Sequence, residues 1–193
     1  MTATKNKETA ERKRYRNTFI IHALLGAAGI AAGVYIYKYT DLIGGTADGY
    51  VYACRMDLRE LLERYYCEAR YMFLLFACGF TIYAVPAAII FSVARGFLCG
   101  AGIMRLASFC NENGISGAHF VMTAVFMSSV MIIEIIMAAK TACNVEDMRS
   151  IAPRADEMIR DKNVKRFAAT FAMLCGVLFA AVSAVYFAPL LPF

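Results

Sequence analysis

"VARGFLCGAGIMRL", residues 93–106, decides how this chain is folded. Arg95 and Arg105 stand ten residues apart and enclose a glycine-rich apolar run of nine. A membrane crossing, a re-entrant hairpin and a loop with a chemical task all fit the stretch taken alone. Its surroundings choose among them.

The 193 residues are 60% hydrophobic and 18% charged, with a mean hydropathy of +0.54. Soluble domains are about half apolar and about one-quarter charged, so both departures indicate a membrane protein whose first partner is the lipid bilayer. The net charge of +5 is modest, and no Lys/Arg stripe interleaves with aromatics, so the pattern is not that of a nucleic-acid binder. Seven cysteines are scattered without a C-x-x-C, as small side chains buried in membrane helices would be. Cys54 and Cys67 share the first long loop, where an oxidising space would allow them to pair.

Outward from the opening stretch, the chain divides into a basic tail, 1–17, and a single membrane domain, 18–193. The first apolar run, 18–37, exceeds a signal-peptide core and lacks an A-x-A site, so it is expected to be a retained span. Gly29 and Gly33 form a G-x-x-x-G, and Gly96 and Gly100 form a second; both predict close helix packing. The connector 38–70 opens on the turn-rich "TDLIGGTADG" and ends in "VYACRMDLRELLERYYCEAR". There Cys54, Leu58, Leu61, Leu62 and Tyr65 recur at helical spacing, with charges on the other face. That spacing predicts an amphipathic helix on the membrane surface or docked on the bundle, with an ordinary solvated helix as the alternative. Residues 71–93 form an apolar run in which Pro86 is expected to kink a membrane helix. "NENGISG" at 111–117 is a turn, 118–139 is apolar except for Glu134, 140–166 is polar, and 167–191 is the last apolar run.

Charge counts then bear on the opening stretch. Residues 94–110 offer 17 positions, the lower limit for a span. The N-terminal tail holds six Lys/Arg, loop 38–70 five, and the shorter loop 140–166 seven. If 94–110 crosses, the tail and loop 140–166 share the cytoplasmic side; if it is re-entrant, the most basic loop is forced outside, against the positive-inside rule. The expected fold is therefore all-α: a polytopic helical bundle of about five spans, at 18–37, 71–93, 94–110, 118–139 and 167–191, one of them short. The N-terminus is cytoplasmic and the C-terminus external.

In an antiparallel hairpin about residue 114, Glu134 lies level with residue 94. An unpaired carboxylate in hydrocarbon costs on the order of 3 kcal/mol. The geometry therefore predicts an Arg95–Glu134 ion pair near the inner face. Arg105 falls nearer the outer side, its long stem able to reach the headgroups. No catalytic, nucleotide-binding or metal motif is present, and no cofactor is implied. His22 and His119 lie in separate segments and are read as packed or interfacial residues rather than ligands. The competing functional class is a permease-like subunit in which Arg95, Arg105 and Glu134 line a polar path.

"AVPAAIIFSVARGFLCGAGIMRL", residues 84–106, resembles the central signature of the stage II sporulation protein M family, an apolar helix with proline running into Arg-Gly-Phe and a glycine-rich helix. "ENGISGAHFVMTAVF" resembles the family's following turn and span, and the likeness extends over nearly the whole chain. Where many family members carry Pro-Gln-Asn, this chain has Met127, Ser128 and Ser129. The resemblance implies a non-enzymatic membrane scaffold in forespore engulfment. Its implied partners are two peptidoglycan-degrading proteins, the stage II sporulation proteins D and P, met at the septal or engulfing membrane. Under it, loop 38–70 with Leu58, Leu61, Leu62 and Tyr65 is the partner-facing surface.

Overall fold

The computed structural model describes residues 2–39, 58–112, 117–148 and 162–187, and the regular elements among them are five helices. They are α1 (Thr2–Tyr39), α2 (Leu58–Cys78), α3 (Ala84–Glu112), α4 (Gly117–Met148) and α5 (Lys162–Phe187). Four stretches are long and apolar enough to cross a membrane: Thr9–Tyr39, Ala84–Glu112, Phe120–Asn144 and Lys162–Ala184. The chain is thus an all-α bundle of the multi-pass membrane type. The exception is α2, whose sequence carries Arg59, Glu63, Arg64, Glu68 and Arg70.

Side-chain contacts fix the direction of each helix. Gly26 meets Gly96 and Gly33 meets Phe97 and Ala101, so α1 and α3 run parallel. Arg95 pairs with Glu134 and Gly102 faces Met127, so α4 runs back against α3. Leu75 meets Thr141 and Gly79 meets Asn144, which sets α2 parallel to α4. Tyr65 packs on Phe179 and Phe80 on Phe167, so α5 opposes α2. Successive helices therefore alternate in direction. One core cluster joins α2, α3, α4 and α5 through Met72, Leu75, Phe91, Met137 and Leu178, and a second joins α3 to α4 through Cys99, Leu106 and Met127.

The expected spans 71–93 and 94–110 are corrected by this architecture. The chain breaks at 79–83, inside the apolar run, and continues from Ala84 to Glu112 without interruption past Arg95. Five crossings including a short third helix become four long apolar helices plus the charged α2. The break is stable because its polar backbone is satisfied. Carbonyls at a helix C-terminus lack intrahelical partners. Here the Thr81 amide and hydroxyl both donate to the Cys78 carbonyl, at 2.9 and 2.8 Å. From α4, Thr141 Oγ1 donates to the Leu75 carbonyl at 3.2 Å and Asn144 Nδ2 to the Gly79 carbonyl at 3.0 Å. Glycine at 79 lets the Phe167 ring pack close, since a Cβ there would stand 2.6 Å from it and the ring would have to shift.

Pro86 is corrected with it. It is the third residue of α3, before the first intrahelical turn closes, and the Ala87 amide already donates to the Tyr83 carbonyl at 2.9 Å. A proline there lacks only a donor the first turn does not use, so it opens the helix rather than kinking it. The amphipathic segment of the connector is the first half of α2, docked on the bundle and continuous with residues up to Cys78. A Cys54–Cys67 pairing and the side chain of His119 lie outside the described residues.

Candidate functional site

Two carboxylates, Glu68 and Glu134, converge on Arg95. It projects from the middle of α3, level with the stretch of α1 between Gly26 and Gly33, and not at an inner helix end as the short-helix expectation had it. The reason is the helix start: α3 begins eleven residues earlier than residue 95, so the arginine is carried into the centre of the bundle. Its Nε donates to Glu134 Oε2 of α4 at 2.5 Å, and its Nη2 donates to Glu68 Oε2 of α2. The guanidinium carbon lies 4.9 Å over the Tyr71 ring, close enough for a cation–π contact. The side chain of Glu134 is 0% exposed, that of Arg95 12% and that of Glu68 13%.

One arginine thus serves two carboxylates from two other helices, which suits the guanidinium's fork of donors. Low dielectric strengthens these charge-assisted hydrogen bonds and raises the penalty for leaving any of the charges alone. Glu134 Oε1 makes no hydrogen bond among the described residues. The arrangement is a three-helix tie.

Glu68 went unseen in the sequence, although a signal was present. The buried residues Leu61, Ala69, Met72 and Leu75 set the inward stripe of α2, and Glu68, half-buried, falls on its edge at spacing 61, 65, 68, 72, 75. A carboxylate on an inward stripe demands a cation opposite. The residues expected to face a partner divide accordingly. Leu61 is buried in the core cluster, while the Tyr65 hydroxyl donates to the Cys175 carbonyl and its ring packs edge-on against Phe179. Tyr65 thus belongs to the α2–α5 interface and Leu61 to the core, which corrects their assignment to a partner surface; the helical phase turns them inward. Leu58 and Leu62 are exposed.

The glycines lie where two backbones meet. A Cβ on Gly29 would fall on the Val93 carbonyl oxygen, one on Gly33 on that of Phe97, one on Gly96 on that of Gly26, and one on Gly100 on that of Ile30. Beside this seam His22 is buried and bonds Ser92 at 2.9 Å; because the Ser92 hydroxyl donates to the Ala88 carbonyl, His22 Nδ1 is the donor to it. Ser128 and Ser129 turn their hydroxyls back onto carbonyls of their own helix. Arg105 does not join the cluster. It lies ten residues further along α3, about 15 Å at the helical rise. Between the two arginines stands the apolar cluster of Cys99, Ile103, Met127 and Met131.

Compared with protein-family models, curated proteins and solved structures, the chain matches none.

Proposed function

We propose that this chain is a non-enzymatic membrane scaffold that holds α2 against a four-helix core and offers the outer face of α2 to a protein partner. The observation that carries the reading is the chemistry of that face. Leu58, Leu62 and Tyr66 are exposed there beside Arg59, Glu63 and Arg70. Counted from Glu68, which is level with Arg95 at the bundle's middle, Glu63 is about 8 Å and Arg59 about 14 Å along the helix. Both distances fall within the half-thickness of a hydrocarbon core of about 30 Å. Charged side chains facing lipid at such depth are unfavourable, so a protein surface covering them is the economical arrangement.

The permease-like alternative needs Arg105 to continue a polar path from Arg95 and Glu134, and the apolar cluster between them speaks against it. The basic starts of α1 and α5 and the Lys140 end of α4 gather at one end of the bundle. By the positive-inside rule we assign that end to the cytoplasm, with the N-terminus, and the far end of α5 to the outside. The resemblance to the stage II sporulation protein M family supplies the partner class: peptidoglycan-degrading proteins such as the stage II sporulation proteins D and P, gathered at an engulfing septal membrane.

The test is photo-crosslinking in native membranes, with a photoreactive residue at Leu62 and, as control, at Val125 on the exposed side of α4. The reading expects cell-wall hydrolase adducts from position 62 and lipid adducts from position 125. Lipid adducts alone from both positions would refute it.

A further inference from the structure

Where α1, α4 and α5 meet at the basic end of the bundle, they enclose a cleft of about 160 Å³ that the charge cluster and the α2 face leave unused. Arg14, Lys140 and Arg166 line it together with Asn163 and Thr170, and Glu11 is the one acid among its lining residues. Three cations against one anion make a cavity of net positive charge. Two of the cations are fixed by contacts across the cleft. Arg14 Nη2 donates to the Cys143 carbonyl at 2.7 Å, and Lys140 Nζ sits 4.1 Å from the centre of the Tyr15 ring. Such partners fix position, and for Lys140 the ring leaves the ammonium charge without neutralising it. Arg166 is exposed and forms no ion pair among the described residues.

The depth of the cleft is the second observation. Arg14 stands just before the apolar run of α1 that begins at Thr18, Lys140 just after the run of α4 that ends at Ala139, and Arg166 just before the run of α5 that begins at Phe167. Three helices thus agree on one level, the boundary between hydrocarbon and water. The abundant anion at that boundary is a lipid phosphate, and basic clefts between membrane helices on the cytoplasmic side suit such headgroups. Asn163 and Thr170 complete the polar wall, the Thr170 hydroxyl donating to the Arg166 carbonyl at 2.9 Å, so the phosphate is left to the cations.

We propose that this cleft binds a phosphate group, supplied by the headgroup of an anionic lipid. The site stands independently of the partner assigned to α2.

The test uses the full chain purified in non-ionic detergent, with binding read from thermal unfolding during titration with short-chain phosphatidylglycerol, short-chain phosphatidylcholine or inorganic phosphate. Phosphatidylglycerol is expected to stabilise the protein saturably and phosphatidylcholine not to. Lys140→Gln with Arg166→Gln should weaken the phosphatidylglycerol affinity about thirtyfold, the loss of two cations each worth what a basic residue gains at an anionic surface. Lys38→Gln, which removes a cation at the opposite end of α1, should leave the affinity unchanged. If the double variant does not fold, Arg166→Gln alone, on an exposed side chain, should weaken it about fivefold. Equal affinities for the two lipids, or an unaltered affinity in the variants, would overturn the site. Protection by inorganic phosphate without protection by phosphatidylglycerol would overturn the lipid as its source.

Discussion

Along α1, α3 is held by glycines: backbone lies on backbone, and the contact is apolar, local and long. Against α2 and α4, the same helix is held through one guanidinium and two carboxylates that reach across from separate helices. The first contact depends on size and is indifferent to charge. In the second, charge balance decides and size matters less. In a bilayer, where lipid tails are as apolar as leucine, close packing supplies the attraction that hydrophobicity cannot, so the α1–α3 seam needs small residues. The helix α2 is too polar for that solution. Its attachment rests instead on cancelling a buried charge, supplemented by the aromatic stack of Phe76 with Phe167 and Phe171.

The largest effect is therefore expected at Arg95. Arg95→Leu leaves two carboxylates without their cation, and breaking a buried pair by removing one partner costs about 3–5 kcal/mol. Equilibrium unfolding of the purified chain in mixed micelles measures it. The contrast sharpens with the combined Arg95→Leu, Glu68→Leu and Glu134→Leu variant, which carries no uncompensated charge and should regain most of the loss. If the triple variant is no more stable than Arg95→Leu, the cluster contributes through shape rather than charge.

Gly29→Leu probes the other contact. A side chain there must push α1 away from the Val93 carbonyl, and overpacking of this kind costs about 1–3 kcal/mol. The loss should be indifferent to ionic strength. Gly176→Ala is the control, since a Cβ at that position meets nothing within 4 Å. A loss at Gly29 no larger than at Gly176 would mean that α1 is only loosely held.

These two contacts also differ in how far the sequence discloses them. The glycine pattern is legible because G-x-x-x-G states its own geometry, and both motifs lie in the α1–α3 seam. The Arg95–Glu134 level follows from hairpin counting, because α3 and α4 run antiparallel with Arg95 against Glu134 and Gly102 against Met127. Glu68 is hard to read from sequence because it sits on the edge of the inward stripe of α2, where a carboxylate looks like one more charge of the solvated face. The break at 79–83 was hidden for a different reason: hydropathy reports side chains, while the break is decided by backbone carbonyls that Thr81, Thr141 and Asn144 satisfy. Two of those donors come from a helix more than sixty residues away in sequence. A local apolar run cannot register a partner so distant, and it merged the end of α2 with the start of α3.

The smallest effect asks whether α2 docks as one unit. Tyr65→Phe removes a hydroxyl that donates to the Cys175 carbonyl over 3.4 Å, and keeps the ring whose edge meets Phe179 at 5.2 Å between centres. Cys175 lies inside α5, where its carbonyl also serves the helix, so no acceptor is stranded and the loss should stay near about 0.5–1 kcal/mol. Its value lies in the Arg95→Leu background. If the charge cluster is what latches α2, then α2 is already loosened in that background and Tyr65→Phe should change little further, so the two losses fall short of additive. Full additivity would mean that the two neighbouring contacts of α2 act independently: the aromatic contact with α5 would secure the helix without the ion pair, and Arg95 would stabilise chiefly the meeting of α3 with α4.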